Sequence, residues 1–153
     1  MKIRIAKLSD VAGCQKINES LWGSEWIDPG YYEERVQKDE LFVAIDDNNC
    51  VIGFVSFRRK YWDKNFFIEE LALDEKHRRK GIGKSLVLMI EKACATEDVR
   101  LFSSCDSTNS VSLAVHKKLG FIKAGEIKNM FKEGKKEIIF SKINKSPSVA
   151  RIR

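Results

Sequence analysis

Two short stretches hold residues whose types and spacing suit chemistry. The first is Arg78-Arg79-Lys80-Gly81-Ile82-Gly83-Lys84, set between an apolar run and an amphipathic one. Glycines let the backbone approach a ligand closely and take turn dihedrals barred to other residues. The first amides of a following helix point outward and favour anions, and Arg78, Arg79, Lys80 and Lys84 add positive charge at the same end. Such a loop suits a diphosphate. Basic side chains there oppose the helix dipole, a local conflict of the kind tolerated at functional sites. The second stretch is Glu69-Glu70, adjacent carboxylates inside the otherwise apolar run Phe66 to Leu73. Removing the proton from an alkyl ammonium at neutral pH costs about 4–5 kcal/mol, and a carboxylate helps to meet that cost. Strand alternation sends neighbouring side chains to opposite faces, so at most one of the two is expected to face an acceptor.

The spacing excludes two familiar glycine loops. A dinucleotide fingerprint needs Gly or Ala three residues after Gly83, where Leu86 stands, and a P-loop ending in Gly83-Lys84-Ser85 needs Gly where Arg78 stands. What remains is Arg-x-x-Gly-x-Gly between a strand and a helix. The four cysteines, Cys14, Cys50, Cys94 and Cys105, form no CxxC pair, and there are only two histidines. No metal site is expected from such a set. Cys14, Cys94 and Cys105 sit among apolar or small residues as core thiols, which suits a reducing cytoplasm.

The elements that must position these residues follow from periodicity. Lys2 to Ala6 alternates as a strand. Ser9 is placed to cap a helix through Val11, Cys14, Ile17 and Leu21, and Asp28-Pro29 opens a second short helix through Tyr32, Val36 and Lys38. Leu41 to Ile45 and Val51 to Phe57 form a hairpin about Asp46 to Asn49. Phe66 to Leu73 is the strand before the basic loop. Gly81 to Cys94 is amphipathic, with Ile82, Leu86, Met89 and Ile90 on one face. Val99 to Ser104 is a strand, and Asn109 to Gly120 a helix ending on glycine. Phe121 to Glu126 and Glu137 to Ser141 are the last strands, with a turn at Glu133-Gly134. One domain over 1–143 is expected, with 144–153 a loose tail. The order predicts a mixed α/β domain, its central sheet covered on both faces.

Here the chain resembles the GNAT superfamily of N-acetyltransferases. The family pattern Arg/Gln-x-x-Gly-x-Gly/Ala after the fourth strand is met by Arg78 to Gly83. A second signature is similar in Asn109, Ala114 and Leu119-Gly120-Phe121. The resemblance implies a three-layer α/β/α fold with a mixed, mostly antiparallel sheet of about seven strands and four helices. It implies acetyl-CoA as the acetyl donor, without a metal. The backbone at Leu71, Ala72 and Leu73 would pair with the pantetheine arm, and the Leu73 N–H would face the thioester carbonyl. Amides from Arg79 to Lys84, through Lys80, Gly81, Ile82 and Gly83, would hold the pyrophosphate, with Arg78 beside them and Asn109 near the pantetheine. His116 stands seven residues after Asn109, where many members carry the Tyr taken as the general acid, and an imidazole can also donate. Of Glu69 and Glu70, the resemblance favours Glu69 as base. Trp22, Trp26, Tyr31 and Tyr32 lie where relatives form the acceptor wall. With Glu25, Glu33 and Glu34 nearby, they suit an organic cation.

The formal net charge of +6 favours an anionic partner such as a nucleotide. No reader motif for nucleic acid accompanies it, so none is expected as a partner. No run approaches the roughly 18 apolar residues of a membrane span, and no leader-type apolar stretch follows the first basic residues. The expected activity is acetyl transfer from acetyl-CoA to a primary amine, by direct attack in a ternary complex. The acceptor is a small cation or a peptide or protein N-terminus. A non-catalytic acyl-CoA sensor with the same fold is the alternative. Homodimers are frequent among relatives, so a homodimer is possible by analogy.

Overall fold

The computed structural model of the chain describes residues 1–24, 28–94 and 99–144. Its elements are β1 (Lys2–Ile5), α1 (Val11–Trp22), α2 (Tyr31–Gln37), β2 (Leu41–Ile45), β3 (Val51–Arg58), β4 (Phe66–Leu73), α3 (Ile82–Ala93), β5 (Val99–Asp106), α4 (Ser110–Lys118), β6 (Ile122–Lys128) and β7 (Lys136–Asn144). The seven strands run in the order β1-β2-β3-β4-β5-β7-β6. This is the mixed, mostly antiparallel sheet with four helices that the sequence predicts. No described helix is long and apolar enough to cross a membrane. Strand β7 runs to Asn144, so the first residue assigned to the tail closes a strand, and 145–153 lie outside the described residues.

The chain forms two compact units, Met1–Arg58 with Glu69–Lys92 and Arg59–Ile68 with Ala93–Arg153. In the first unit, β1, β2 and β3 form an antiparallel meander. Its core joins Cys14 and Ile17 of α1 and Tyr32 of α2 to Leu41, Val43, Phe54 and Ala72 of the strands. Helix α1 lies close on β3 because residue 13 is glycine: a Cβ there would fall 2.8 Å from the Cβ of Val51. In the second unit, the start of β4 pairs in parallel with β5, Phe66 opposite Leu101 and Phe67 opposite Phe102. Strand β7 pairs antiparallel with both β5 and β6. Helix α4 brings His116 onto this ladder, its ring stacked on Phe140 at 4.2 Å between centroids.

The entry to α1 differs from the expected Ser9 cap. A turn of 3-10 helix, Leu8–Asp10, precedes α1, and Asp10 rather than Ser9 fixes the entry. Its carboxylate accepts from the Lys7 amide at 2.7 Å and pairs with Arg4 at 2.6 and 3.0 Å. Burial alone would raise the Asp10 pKa, but these Arg4 and Lys7 bonds outweigh it and hold it below the ordinary carboxylate value. A depressed carboxylate contributes stability that is present above its unfolded pKa and lost as pH falls through its folded one. Asp10→Ala should therefore destabilise the fold by about 1–3 kcal/mol near pH 7 in urea unfolding, and by clearly less near pH 3. An equal loss at both pH values would show that the charge is not the cause.

Candidate active site

The acidic pair on β4 is the centre of a hydrogen-bonded network drawn from α1, α2 and β3. The Tyr31 hydroxyl donates to Glu69 Oε2 at 2.8 Å, and Tyr32 to Glu70 Oε2 at 3.1 Å. Ser56 Oγ, 2.9 Å from the Tyr31 hydroxyl, links the two halves by reaching Glu70 Oε2 at 3.4 Å. Asn18 Nδ2 donates to Glu70 Oε1 at 2.8 Å, and Arg58 Nε pairs with Glu69 Oε1 at 2.5 Å. Both carboxylates thus enter one hydrogen-bonded network although alternation directs their Cβ atoms to opposite faces. The pleat sets the direction of each Cβ. It does not limit the reach of a glutamate side chain toward two tyrosines that are neighbours on one helix.

The two carboxylates differ in kind. Glu69 is matched by a guanidinium. Glu70 is held by the amide of Asn18 and the hydroxyls of Tyr32 and Ser56, all neutral groups. Burial pushes the Glu70 pKa above its ordinary value, and the Glu69 charge adds to the rise against the opposing hydrogen bonds. Burial and the same carboxylates push both tyrosine hydroxyls upward, so they remain donors. Beneath them lies Arg35, fully buried, paired with Glu40 at 2.5 Å and 4.0 Å from Glu69, its guanidinium 5.7 Å from the Tyr31 ring centre. Glu34 is tied to Lys38 and Arg35.

The basic loop follows β4 directly. Asp74 accepts from the Lys76 amide and forms the turn out of the strand. Arg79 and Gly81 take left-handed φ values of +61° and +79°. The Ser85 amide bonds to Gly81 O, so the amides of Ile82, Gly83 and Lys84 precede the first intrahelical bond of α3. A left-handed residue followed by a right-handed one turns successive N–H groups toward a shared concavity that suits an anion. A Cβ at Gly81 would meet nothing within 4 Å, so its backbone is open to a ligand and only its φ restricts the residue. A Cβ at Gly83 would sit 3.7 Å from the side chains of Leu71 and Leu73, which seats the first turn of α3 against the end of β4. Arg78, Lys80 and Lys84 are exposed around this turn. Ala72 points into the core at 1% exposure.

The remaining candidates have other surroundings. Asn109 caps α4, its Oδ1 accepting from the Ser112 amide at 3.0 Å. His116 is buried. Its Nδ1 lies 2.8 Å from Ser112 O, which requires Nδ1–H, and its Nε2 is 3.0 Å from Ser103 Oγ. Burial lowers its pKa, the Ser112 bond opposing, so the ring is held neutral. Trp22 ends α1 and is 44% exposed. Trp26 and Glu25 lie outside the described residues.

A model of the acetyltransferase (GNAT) family matches residues 11–121. The chain belongs to this family. Its β4–loop–α3 segment, with the acidic pair and the glycine-basic turn, falls within the matched span. The chain is similar to an SPbeta prophage-derived uncharacterized N-acetyltransferase of Bacillus subtilis (strain 168), 30% identical over 109 residues, which are 69% of this chain and 59% of that relative's length. Among solved structures, it is similar to Ard1 of Thermoplasma volcanium, with TM-score 0.81 at 19% identity, covering 93% of this chain and 96% of that one. It is also similar to an aminoglycoside 6′-N-acetyltransferase complexed with coenzyme A, with TM-score 0.77 at 18% identity, covering 94% and 97%. At these identities the structures show the GNAT fold.

Sequence reading did not find Asn18, Arg35, Ser56 or Arg58 for this GNAT site. They come from three elements, and no local spacing links them to Glu69-Glu70. A buried base held neutral has a lowered pKa, and its contribution to stability fades as pH falls from about 6.5 through the folded value. His116→Phe, which keeps a ring against Phe140, should therefore flatten the loss of stability between about pH 7.5 and pH 5.5 in urea unfolding. An unchanged slope would mean that His116 is not the neutral core residue described.

Proposed function

We propose that this GNAT chain is an N-acetyltransferase that moves an acetyl group from acetyl-CoA to a primary amine of a small cationic molecule. The observation that supports it best is the joint presence, on one strand and its exit loop, of a half-buried carboxylate held by neutral donors and an open turn suited to an anion. The family match over 11–121 spans parts of both units and supports reading 1–143 as one acetyltransferase domain. Buried cysteines at positions 14, 94 and 105 suit a cytoplasmic setting.

The residues present fit the donor. The turn from Arg79 to Lys84 would hold the pyrophosphate, Arg78 would add charge, and the backbone from Leu71 to Leu73 would lie along the pantetheine. Acetyl-CoA supplies a thioester-activated acetyl group whose thiol, with pKa about 8.5, is a fair leaving group without a dedicated acid. We therefore assign His116 a packing role rather than the acid's role.

Glu70 is the residue we assign as proton acceptor, in place of Glu69. A base serves best with its pKa near the working pH, and burial moves Glu70 in that direction. Tyr32, Ser56 and Asn18 fix its carboxylate. Glu69, paired with Arg58, holds Tyr31 and helps to draw a cation to the site. Two adjacent carboxylates at the site favour a small cationic amine over a peptide N-terminus as acceptor.

Two measurements test this reading. Turnover by the wild type should fall as pH drops through the raised Glu70 pKa, and Glu70→Gln should lower kcat/KM by about 10²–10⁴ and remove that limb. A loss of only a few fold would reject Glu70 as base. Calorimetry should detect acetyl-CoA binding that disappears when Gly81 and Gly83 are both changed to Val, and unaltered affinity would reject the phosphate-binding turn.

A further inference from the structure

The end of the β6–β7 hairpin projects from the second unit: every residue from Glu126 to Lys136 is exposed. Its turn nonetheless has a fixed shape. The Asn129 amide donates to Lys135 O at 2.8 Å, and the Lys135 amide to Lys132 O at 3.1 Å. Asn129 and Gly134 take left-handed φ values of +57° and +75°, and Asn129 Oδ1 accepts from the Gly134 amide at 2.8 Å. The turn displays Met130 and Phe131, which are 44% and 73% exposed, and Ile127 on the strand leading to it is 43% exposed. Large apolar side chains exposed together inside a polar rim mark a contact surface. Here the rim is basic. Among the described residues Lys128, Lys132 and Lys135 have no carboxylate in ion-pair contact, whereas Lys123 and Lys136 are matched by Glu126. Glu133 is the one acidic residue between Asn129 and Lys135.

Three features select the occupant. A hairpin end exposed at every residue is a projection, which suits a yielding surface rather than a peptide or small ligand held in a groove. Its apolar pair is flanked by lysines, and lysine stems reach along apolar surface while their ammonium heads stay with polar groups. Its cations are all lysine. An apolar wedge into a nucleic-acid groove works with Arg, Asn or Gln, and between Glu126 and Lys136 there is no Arg or Gln, while Asn129 is engaged by its own turn. We propose that the tip of the β6–β7 hairpin docks the protein on an anionic lipid surface, Met130 and Phe131 entering the acyl boundary and Lys128, Lys132 and Lys135 meeting the headgroup phosphates. The contact is peripheral and reversible, and each lysine strengthens partitioning on the order of fivefold at an anionic leaflet. None of these residues takes part in the acetyl-transfer reading, so either can fail alone.

The test uses the full chain and vesicles of phosphatidylcholine, with or without phosphatidylglycerol. The chain should sediment with the anionic vesicles and not with the neutral ones, and added salt should release it. Met130→Ser with Phe131→Ser should lower partitioning about tenfold or more. Lys128→Gln, Lys132→Gln and Lys135→Gln together should lower it about a hundredfold. All five side chains are exposed, so thermal melting of both variants should match the wild type. In Phe131→Trp, lipids brominated on the acyl chain should quench fluorescence beyond the quenching seen in the wild type. No sedimentation of the wild type, equal binding to neutral vesicles, equal binding by the serine variant, or no added quenching would each overturn the proposal. Binding to an oligonucleotide and not to vesicles, lost in the glutamine variant, would assign the lysines to nucleic acid and overturn it as well.

Discussion

The hydrogen bonds from Tyr31 and Tyr32 to Glu69 and Glu70 are the interaction on which the first unit's site depends. Two adjacent carboxylates on an inner strand are costly to remove from water, and unpaired they would protonate or open the structure. Helix α2 meets that cost with two consecutive hydroxyls and, one turn later, with Arg35, which is fully buried and tied to Glu40. The same contacts fix the helix against the strand. Tyr32 is wholly buried, with its ring edge-on to Phe54 at 5.3 Å, so one side chain belongs both to the core and to the polar network. Packing and chemistry share the same atoms.

Because the network is shared unevenly, the two carboxylates acquire different characters. Arg58 places a positive charge on Glu69, whereas Glu70 has only neutral donors around it. Neighbouring titratable groups in unlike surroundings are how a single site separates its acid–base roles. The division comes from β3, which contributes Ser56 and Arg58 two residues apart along the strand. The glycine-basic turn depends on the network less directly. It begins where β4 ends, and the strand that holds the glutamates is the strand that sets where Gly81 and α3 start.

Much of this was legible in the sequence, for identifiable reasons. The bounds of β4 and the basic turn were visible because their signals are local: an apolar run, then glycines at fixed offsets beside Arg and Lys. The core thiols were visible from their apolar neighbours. The network was not. Asn18 lies 52 residues from Glu70, Tyr32 lies 38 and Ser56 lies 14. Only the packing of α1 and α2 on the strands brings them together. That Glu69 and Glu70 share one network was not legible, because alternation describes Cβ direction and says nothing of side-chain reach. The Ser9 cap gave way to Asp10 because a preceding 3-10 turn shifted the helix entry and Arg4 was available from β1. The surroundings of His116 were not legible either, because its partners, Ser103 and Phe140, belong to strands that a linear reading does not set beside it.

The proposal that Glu70 is the base requires that partial burial among neutral donors make it a weaker acid than an ordinary glutamate. The direct measurement is a carbon-detected titration of the Glu70 side-chain carboxyl in the free protein, assigned with Glu70→Gln. The account predicts a midpoint above the ordinary glutamate value of about 4.3. A midpoint at or below that value would contradict it.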